Sequence, residues 1–227
     1  MPAIDAVAAT QTIDNILRRY RAATSSQVPA GLLPANIKAG KLYEAWVLSV
    51  VLGKLVAEEG YRAVLRGSTK PTLHLGHGPI NRQYPYFEML RRNRPALEVW
   101  TDIEFLTLSY AQQTVRRSPQ PGDFHELDIV VVATGTRGRP RHDEIQLGVE
   151  CKATHYGKHL LREILGVRRE LSFYQNPRTT AFVNWPRADV PANPPSCLMV
   201  FCTDTAVLTF ADPGDVFGVD FVHEAAP

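Results

Sequence analysis

The chain has 227 residues, 44% of them hydrophobic, and a formal net charge of +2 at pH 7. This length and apolar content fit one generously sized globular domain with an adequate core. The near-neutral charge excludes a histone-like basic coat, so that a nucleic-acid site, if the chain has one, must be a local basic patch.

The sequence contains three cysteines and no segment typical of export or membrane insertion. The odd number of cysteines and the apolar, strand-like sequence around them favour reduced thiols over a disulfide framework. They are Cys151, Cys197 and Cys202. The N-terminus has an acidic Asp5 and lacks the layout of a signal peptide, and the most apolar helical stretch, 45–57, is too short to span a bilayer. We therefore expect a cytoplasmic protein that has no membrane partner.

Two helices are predicted in the N-terminal part of the chain. Residues 4–23 have helical spacing, and residues 25–34 then break the pattern with Ser, Pro and Gly. We interpret residues 1–34 as an appended N-terminal helix and linker. Residues 41–59 form the second predicted helix, which is apolar nearly all round and ends at Gly60. This helix should be buried on more than one side.

The next segments predict two strands on either side of a long loop. Residues 61–66 fit a short strand, whereas residues 67–94 are rich in Gly, Pro, His and Arg without periodicity. Residues 96–110 alternate between apolar and polar positions and then become more apolar, as in an extended strand. We predict a main domain over residues 35–227 with an insertion around 67–95.

The C-terminal part continues with an amphipathic helix and further strands. Residues 158–173 place apolar side chains on one face and basic side chains on the other. Residues 181–185 and 198–203 resemble strands, and residues 207–210 with 216–222 resemble a terminal hairpin or sheet edge. The order of elements predicts an α/β fold with a mixed central sheet flanked by helices.

Charged side chains interrupt an otherwise apolar strand at residues 125–132. Because side chains alternate along a strand, Glu126 and Asp128 should share one face. The opposite face should carry Leu127, Ile129 and Val131. Burying unpaired charge is costly, so carboxylates in such a strand usually bind a cation or take part in chemistry.

A second apolar strand, residues 146–152, ends in charged side chains. Glu150 and Lys152 should lie on one face, opposite Val149 and Cys151. If the two strands pair, two or three carboxylates and one ammonium meet in one cleft. The alternative is an ion pair between neighbouring strands that has only a structural role.

An acid on one strand, followed after a short connection by Glu-Cys-Lys on the next, resembles the PD-(D/E)XK nuclease superfamily, which includes many restriction-type endonucleases. The first acid is Asp128, and the (D/E)XK element is Glu150-Cys151-Lys152. Leu127 stands where the superfamily pattern often has Pro. The resemblance covers roughly residues 41–173 and implies a restriction-endonuclease-like core.

The resemblance also implies a reaction, which is hydrolysis of phosphodiester bonds with Mg²⁺, or Mn²⁺ as a substitute. Asp128 and Glu150 would hold the ion, and the Cys151 carbonyl would complete its shell. Lys152 would orient or activate the attacking water, since an ammonium stabilises developing negative charge.

Four further residues have two interpretations each. In the superfamily the first helix often contributes a glutamate to the metal site, which would be Glu44, but an acid in a first helical turn also complements the helix dipole. Glu126 is a third ligand or a solvated residue at a strand start. His125 and His155 lie at the rim of the cleft or are ordinary polar loop residues.

Basic residues near the motif fit either phosphate binding or a solvated surface. They are Arg137, Arg139, Arg141, Lys158, Arg162 and Arg169. The resemblance favours a nucleic-acid partner, DNA over RNA, and a role in restriction or anti-phage defence. It also allows a homodimer and an activating partner or ligand.

Two other functions remain open at this point. One is a catalytically inactive nucleic-acid-binding or interaction protein on the same fold. The other is a metal-dependent hydrolase of small phosphoesters, which would need a closed pocket rather than an open groove.

Overall fold

The computed structural model describes residues 6–21, 31–67, 69–115 and 117–225. The helices are α1 (Ala6–Arg18), α2 (Ala39–Ala57), α3 (Leu108–Ala111), α4 (Lys158–Leu171) and α5 (Ala211–Val216), and short 3-10 helices cover Pro121–Asp123, His142–Glu144 and Thr205–Phe210. The strands are β1 (Arg62–Arg66), β2 (Tyr86–Arg91), β3 (Arg94–Leu106), β4 (Phe124–Ala133), β5 (Ile145–Lys152), β6 (Phe173–Thr179), β7 (Asp189–Asn193), β8 (Cys197–Cys202) and β9 (Val219–His223).

Seven strands form one mixed sheet in the order β1-β2-β3-β4-β5-β8-β9. Strands β1 to β5 pair antiparallel, whereas β8 pairs parallel with both β5 and β9. Strands β6 and β7 form a separate two-stranded ribbon. This arrangement confirms the predicted α/β fold, and β4 and β5 pair as the motif strands were expected to do.

The sheet separates two hydrophobic layers. On one face, α1 and α2 pack against side chains such as Val99, Ile129 and Val131. On the other face, α4 packs against side chains such as Leu127 and Val130. The sheet is therefore covered on both sides, and its central strands read as apolar runs because both faces are buried.

The alternation predicted for β4 is wrong at Leu127. Ile129 and Val131 pack on the α2 side, whereas Leu127 packs on the α4 side with Val130 and Val132. The change occurs at Asp128, which lies across from a residue of β3 with left-handed backbone geometry. The regular alternation is thus interrupted at Asp128, so that Leu127 and Ile129, which are two positions apart, lie on opposite faces.

The segment predicted as a long loop contains a strand of the main sheet. Tyr86–Arg91 forms β2, which pairs with β1 and β3. Phe87, Glu88, Met89 and Leu90 are all buried, so the sequence shows no alternation. The strand predicted over 96–110 ends at Leu106, and Thr107 then caps α3 by accepting a hydrogen bond from the Tyr110 amide.

One C-terminal prediction is wrong, and another is confirmed in part. Residues 181–185 form no strand, and β6 and β7 lie on either side of them. Residues 207–210 belong to a 3-10 helix and form no hairpin, whereas β9 confirms the alternative of a sheet edge because it pairs parallel with β8 at the end of the main sheet. Phe182 and Val207, one in each of these two segments, are buried in the core although neither belongs to a strand.

The N-terminal helix contributes to the core of the domain. Ile13 and Leu17 of α1 are fully buried in the hydrophobic layer that includes α2. The predicted linker, 25–34, lies outside the described residues up to residue 30. The division at residue 34 remains a prediction.

No helix among the described residues is long and apolar enough to cross a membrane.

A buried carboxylate joins the end of α2 to the connection between β6 and β7. Glu59 accepts backbone hydrogen bonds from Val183 at 2.9 Å, from Trp185 at 3.0 Å and from Asn184, and it accepts one from the Arg91 side chain at 2.9 Å. Burial raises the pKa of Glu59, but these hydrogen bonds outweigh it and hold the pKa below its usual value.

We predict that Glu59→Gln lowers the free energy of unfolding at pH 7 by about 2 kcal/mol, because amides and Arg91 lose a charged acceptor. The folded pKa of Glu59 is lowered, so this stability is present above the unfolded pKa and is lost as pH falls through the folded value. Urea titrations at pH 7 and at acid pH measure both effects.

The matched control is Glu58→Gln, because neighbouring Glu58 pairs with Lys54 at the surface. That change should cost less than about 0.5 kcal/mol. Equal costs for the two variants would contradict the assigned role of Glu59.

Candidate metal centre

Three acidic side chains converge where α2 crosses the sheet. Glu44 of α2, Asp102 of β3 and Asp128 of β4 each place a carboxylate oxygen within 4.8 Å of the other two, and we call them the carboxylate cluster. Asp102 lies opposite Asp128, between the paired positions Thr101–Ile129 and Ile103–Leu127. The register of β3 against β4 therefore places two of the three carboxylates, those of Asp102 and Asp128, next to each other.

The position of Glu44 distinguishes between its two interpretations. Helix α2 begins at Ala39 and has no acidic residue in its first turn. Glu44 lies beyond the range in which the helix dipole acts most strongly, and its carboxylate points into the cluster. The geometry thus favours the site interpretation.

Asp102 is the most unusual residue of the cluster. Its φ of +54° lies in the left-handed region, which costs a non-glycine residue about 1–3 kcal/mol. Its side chain is 0% exposed, and its Oδ2 has no hydrogen-bond partner among the described residues. Like charges opposite each other on neighbouring strands also destabilise a sheet. A bound cation would offset all of these costs except the backbone strain.

One oxygen of each carboxylate in the cluster accepts a hydrogen bond from another group of the protein. Lys41 Nζ lies 2.7 Å from Glu44 Oε2 and 2.5 Å from Asp102 Oδ1. The backbone N–H of Cys151 donates to Asp128 Oδ2 at 2.7 Å. Outer contacts of this kind orient the carboxylates that hold a metal ion. The donor set, which consists of carboxylate oxygens, suits a hard divalent cation such as Mg²⁺ or Mn²⁺.

The cluster resists full ionisation in the absence of a cation. Burial, with a further contribution from Asp128, raises the pKa of Glu44 to about 8. Burial raises the pKa of Asp102 to about 7 although Lys41 opposes it, and burial also raises the pKa of Asp128. These carboxyl groups would release protons when a cation binds.

The Glu and Lys of the motif form a second charged group beside the cluster. Lys152 Nζ lies 3.0 Å from Glu150 Oε2 and 3.0 Å from Glu163 Oε1 of α4. Burial, with a contribution from Asp128, raises the pKa of Glu150 to about 8. Burial lowers the pKa of Lys152, but the two glutamates outweigh it and raise that pKa above its usual value. Lys152 is therefore an ammonium ion.

The structure divides the predicted metal ligands between two neighbouring groups of charged residues. Asp128 belongs to the carboxylate cluster, together with Glu44. Among the described residues, Glu150 does not join this three-oxygen group and pairs with Lys152 instead. Cys151 packs partly against the core and contacts Asp128 through its backbone. Its carbonyl as a ligand remains a prediction.

Sequence reasoning missed Asp102, Lys41 and Glu163. Asp102 looked like an ordinary polar position of an alternating strand, and only the register of β3 against β4 shows its neighbour to be Asp128. The sequence does offer one indication of Lys41. It precedes Glu44 by three residues, and residues at i and i+3 share one face of a helix, so an ion pair between the two could be predicted. No local pattern distinguishes Glu163 from other acids on an exposed helix face.

Asp128 of the cluster lines a cleft of about 710 Å³ between the sheet and α4, together with Glu150 and Lys152 of the motif. Basic side chains on its walls are Lys41, His125, Lys152, Arg162 and Arg169, and acidic ones are Glu126, Asp128, Glu150, Glu163 and Glu170. The cleft thus combines carboxylates that suit a cation with basic groups that suit an anion.

The other predicted basic and rim residues have separate contacts. Arg139 pairs with Glu104 at 2.7 Å, and Arg141 pairs with Asp143 at 2.8 Å. His155 is 83% exposed and lies 2.6 Å from Asp204. Lys158 and Arg137 do not line the cleft. Of the predicted phosphate contacts, Arg162 and Arg169 are the two that the structure brings to the site.

Comparison with protein-family models, with curated proteins and with solved structures gave no match.

We predict that Asp102→Asn flattens the pH dependence of stability in EDTA. The folded pKa values of Glu44 and Asp102, about 8 and about 7, exceed the unfolded value of roughly 4. Their contribution is fully present below the unfolded pKa and is lost as pH rises through 7 to 8. Asparagine tolerates the left-handed backbone. The variant should melt at a higher temperature than wild type at about pH 9.

Thermal melts followed by circular dichroism between about pH 6 and pH 9 provide the measurement. The control is Asp143→Asn, which removes an exposed acid paired with Arg141 and should leave the wild-type pH profile unchanged. A wild-type melting temperature that rises over this range would refute the electrostatic description of the cluster.

Proposed function

We propose that this protein is a Mg²⁺-dependent nuclease, with Mn²⁺ as a substitute, that hydrolyses phosphodiester bonds, preferably in DNA. The observation that carries the proposal is Asp102 Oδ2, which is buried and has no hydrogen-bond partner in the described part of the chain, within a cluster of three carboxylates of which Asp128 lines the cleft. An acidic cluster that only stabilised the fold would have its buried oxygens hydrogen-bonded.

Each part of the cleft has a task in this proposal. Glu44, Asp102 and Asp128 hold the cation, which when bound supplies a polarised phosphoryl oxygen and an acidified water. The Lys152 ammonium orients the attacking water and stabilises negative charge that develops on the phosphoryl group. Its raised pKa keeps it an ammonium ion at neutral pH, so the proton of the attacking water passes to solvent or to a phosphate oxygen of the substrate.

The walls of the cleft support a polyanionic substrate. Arg162 and Arg169 lie on the side of α4 that faces the carboxylates, where they can bind phosphates on either side of the scissile bond. A chain with several phosphates uses both arginines, whereas a small phosphoester uses only one. The cleft therefore supports a polymeric substrate better than a small phosphoester.

The resemblance to the PD-(D/E)XK nucleases supports the same reaction. Asp128 and Lys152 occupy the cleft as the motif requires, and Glu150 lies on the same wall. The chain departs from the pattern in that Asp102 supplies a cluster carboxylate while Glu150 holds Lys152. Restriction or anti-phage defence, a homodimer and an activating partner or ligand are proposals that rest on this resemblance alone.

A catalytically inactive nucleic-acid-binding or interaction protein is the second candidate. One observation favours it, because Lys41 and Lys152 each pair with two carboxylates and so neutralise part of the acidic charge. In that case the cleft would bind nucleic acid equally well in EDTA and in Mg²⁺.

We predict metal-dependent cleavage by the wild-type protein. Supercoiled plasmid, labelled single-stranded DNA and labelled RNA are incubated with Mg²⁺, with Mn²⁺ or with EDTA. Cleavage should require the cation, favour DNA, and fall to background in Asp128→Asn. Metal-independent binding without cleavage under any of these conditions would favour the second candidate.

Lys152→Met should slow cleavage by roughly 10²–10³-fold, because one stabilising charge is lost from the transition state. Asp143→Asn, an exposed acid paired with Arg141, should cleave at the wild-type rate. Matching melting temperatures establish that each variant is folded. Normal cleavage by Lys152→Met would show that the proposed role of Lys152 is wrong.

A further inference from the structure

Lys41 contacts two members of the carboxylate cluster at once. Its ammonium lies 2.7 Å from Glu44 Oε2 and 2.5 Å from Asp102 Oδ1. Glu44 and Lys41 are three positions apart on α2, so the helix itself holds the pair together, whereas Asp102 comes from the sheet. An ammonium in this position has one of two roles: it occupies the cation site until a metal ion displaces it, or it remains beside the bound ion.

The hydrogen bonds favour an ammonium that remains. Lys41 uses Asp102 Oδ1, and the other oxygen, Oδ2, is buried without a partner among the described residues. Asp128 shows the same division, since its Oδ2 binds the Cys151 amide. The protein thus occupies one oxygen of Asp102 and leaves the other for the ion, and Lys41 does not need to move when the ion binds.

The charges of the site add a second argument. Three ionised carboxylates and one ammonium leave a net charge of −2, which a divalent cation neutralises. Without Lys41 the same carboxylates would carry −3, which matches a trivalent cation. The side chain of Asp102 is 0% exposed, so water screens an imbalance of charge poorly there.

We propose that Lys41 is a specificity-determining residue of the metal centre, a built-in counter-cation that stays in the filled site and adjusts its charge to a divalent ion. This inference rests on the proposed cation site but not on the proposed nuclease reaction. Lys41 acts through Glu44 and Asp102, so it is a positioning residue.

The proposal predicts a change in selectivity rather than a simple loss of binding. Replacing Lys41 by methionine removes a positive charge that contacts two of the three carboxylates. For a separation of about 5 Å and an effective dielectric constant of about 20, a trivalent ion gains over a divalent ion by roughly 300-fold. Salt and water penetration reduce this value, and we expect at least about tenfold.

The experiment measures the dissociation constants of Mn²⁺ and Tb³⁺ by isothermal titration calorimetry at one pH for wild type, Lys41→Met and Lys41→Arg. Lys41→Met should raise the preference for Tb³⁺ over Mn²⁺ at least about tenfold. Lys41→Arg keeps the charge and should retain the wild-type preference. Lys41→Gln is a second neutral variant should the methionine variant fold poorly.

The matched control is Lys54→Met. Lys54 lies on the same helix and forms a surface pair with Glu58, so the variant loses the same charge away from the cluster. Its metal preference should equal that of wild type. Melting temperatures in EDTA identify any variant whose folding is impaired.

Three results would overturn the inference. An unchanged preference in Lys41→Met would show that Lys41 does not set the charge of the filled site. Equally tighter binding of both ions would show that Lys41 is a competitor that leaves when metal binds. If wild type bound neither ion, the cation site would be refuted along with the inference, whereas Mn²⁺ binding without cleavage would refute the nuclease reaction alone.

Discussion

The repulsion among Glu44, Asp102 and Asp128 is the constraint on which the site depends. The fold brings these carboxylates to within 4.8 Å of one another, with Asp102 fully buried and Glu44 and Asp128 partly buried, where water screens them poorly. One of them has a left-handed backbone and a side-chain oxygen without a partner among the described residues. A protein selected for stability alone would replace such a group, so the cost indicates a function that requires it.

The fold creates this cluster by departing from regularity at one place in the sheet. Strands β3 and β4 keep their register on both sides of Asp102 and Asp128. On β4, however, Leu127 and Ile129 pack in different hydrophobic layers, although a regular strand would place both in the same layer. Helix α2 covers this place from one side and contributes Glu44 with Lys41. Helix α4 supplies Glu163 from the wall of the cleft. The carboxylate cluster, the cationic Lys152 and the arginines thus come from different elements, and Asp128, Lys152, Arg162 and Arg169 line one cleft.

The sequence predicts the parts of the site that local patterns determine. Charged residues in apolar strands identify Asp128, Glu150 and Lys152 because charge is costly at positions that a sheet buries. Asp102 is a polar position in an alternating strand, and its role depends on strand pairing and on a left-handed backbone that no local pattern encodes. Likewise β2 is buried on both faces and shows no period, and residues 183–185 bind Glu59 through their amides instead of forming a strand.

The most direct test of this account is the anomalous diffraction of Mn²⁺ in crystals of the protein. The account predicts one strong peak at bonding distance from carboxylate oxygens of Glu44, Asp102 and Asp128, with Lys41 still in contact with Glu44. A peak bound by Asp128, Glu150 and the Cys151 carbonyl without Asp102, or no peak at this position, would contradict it.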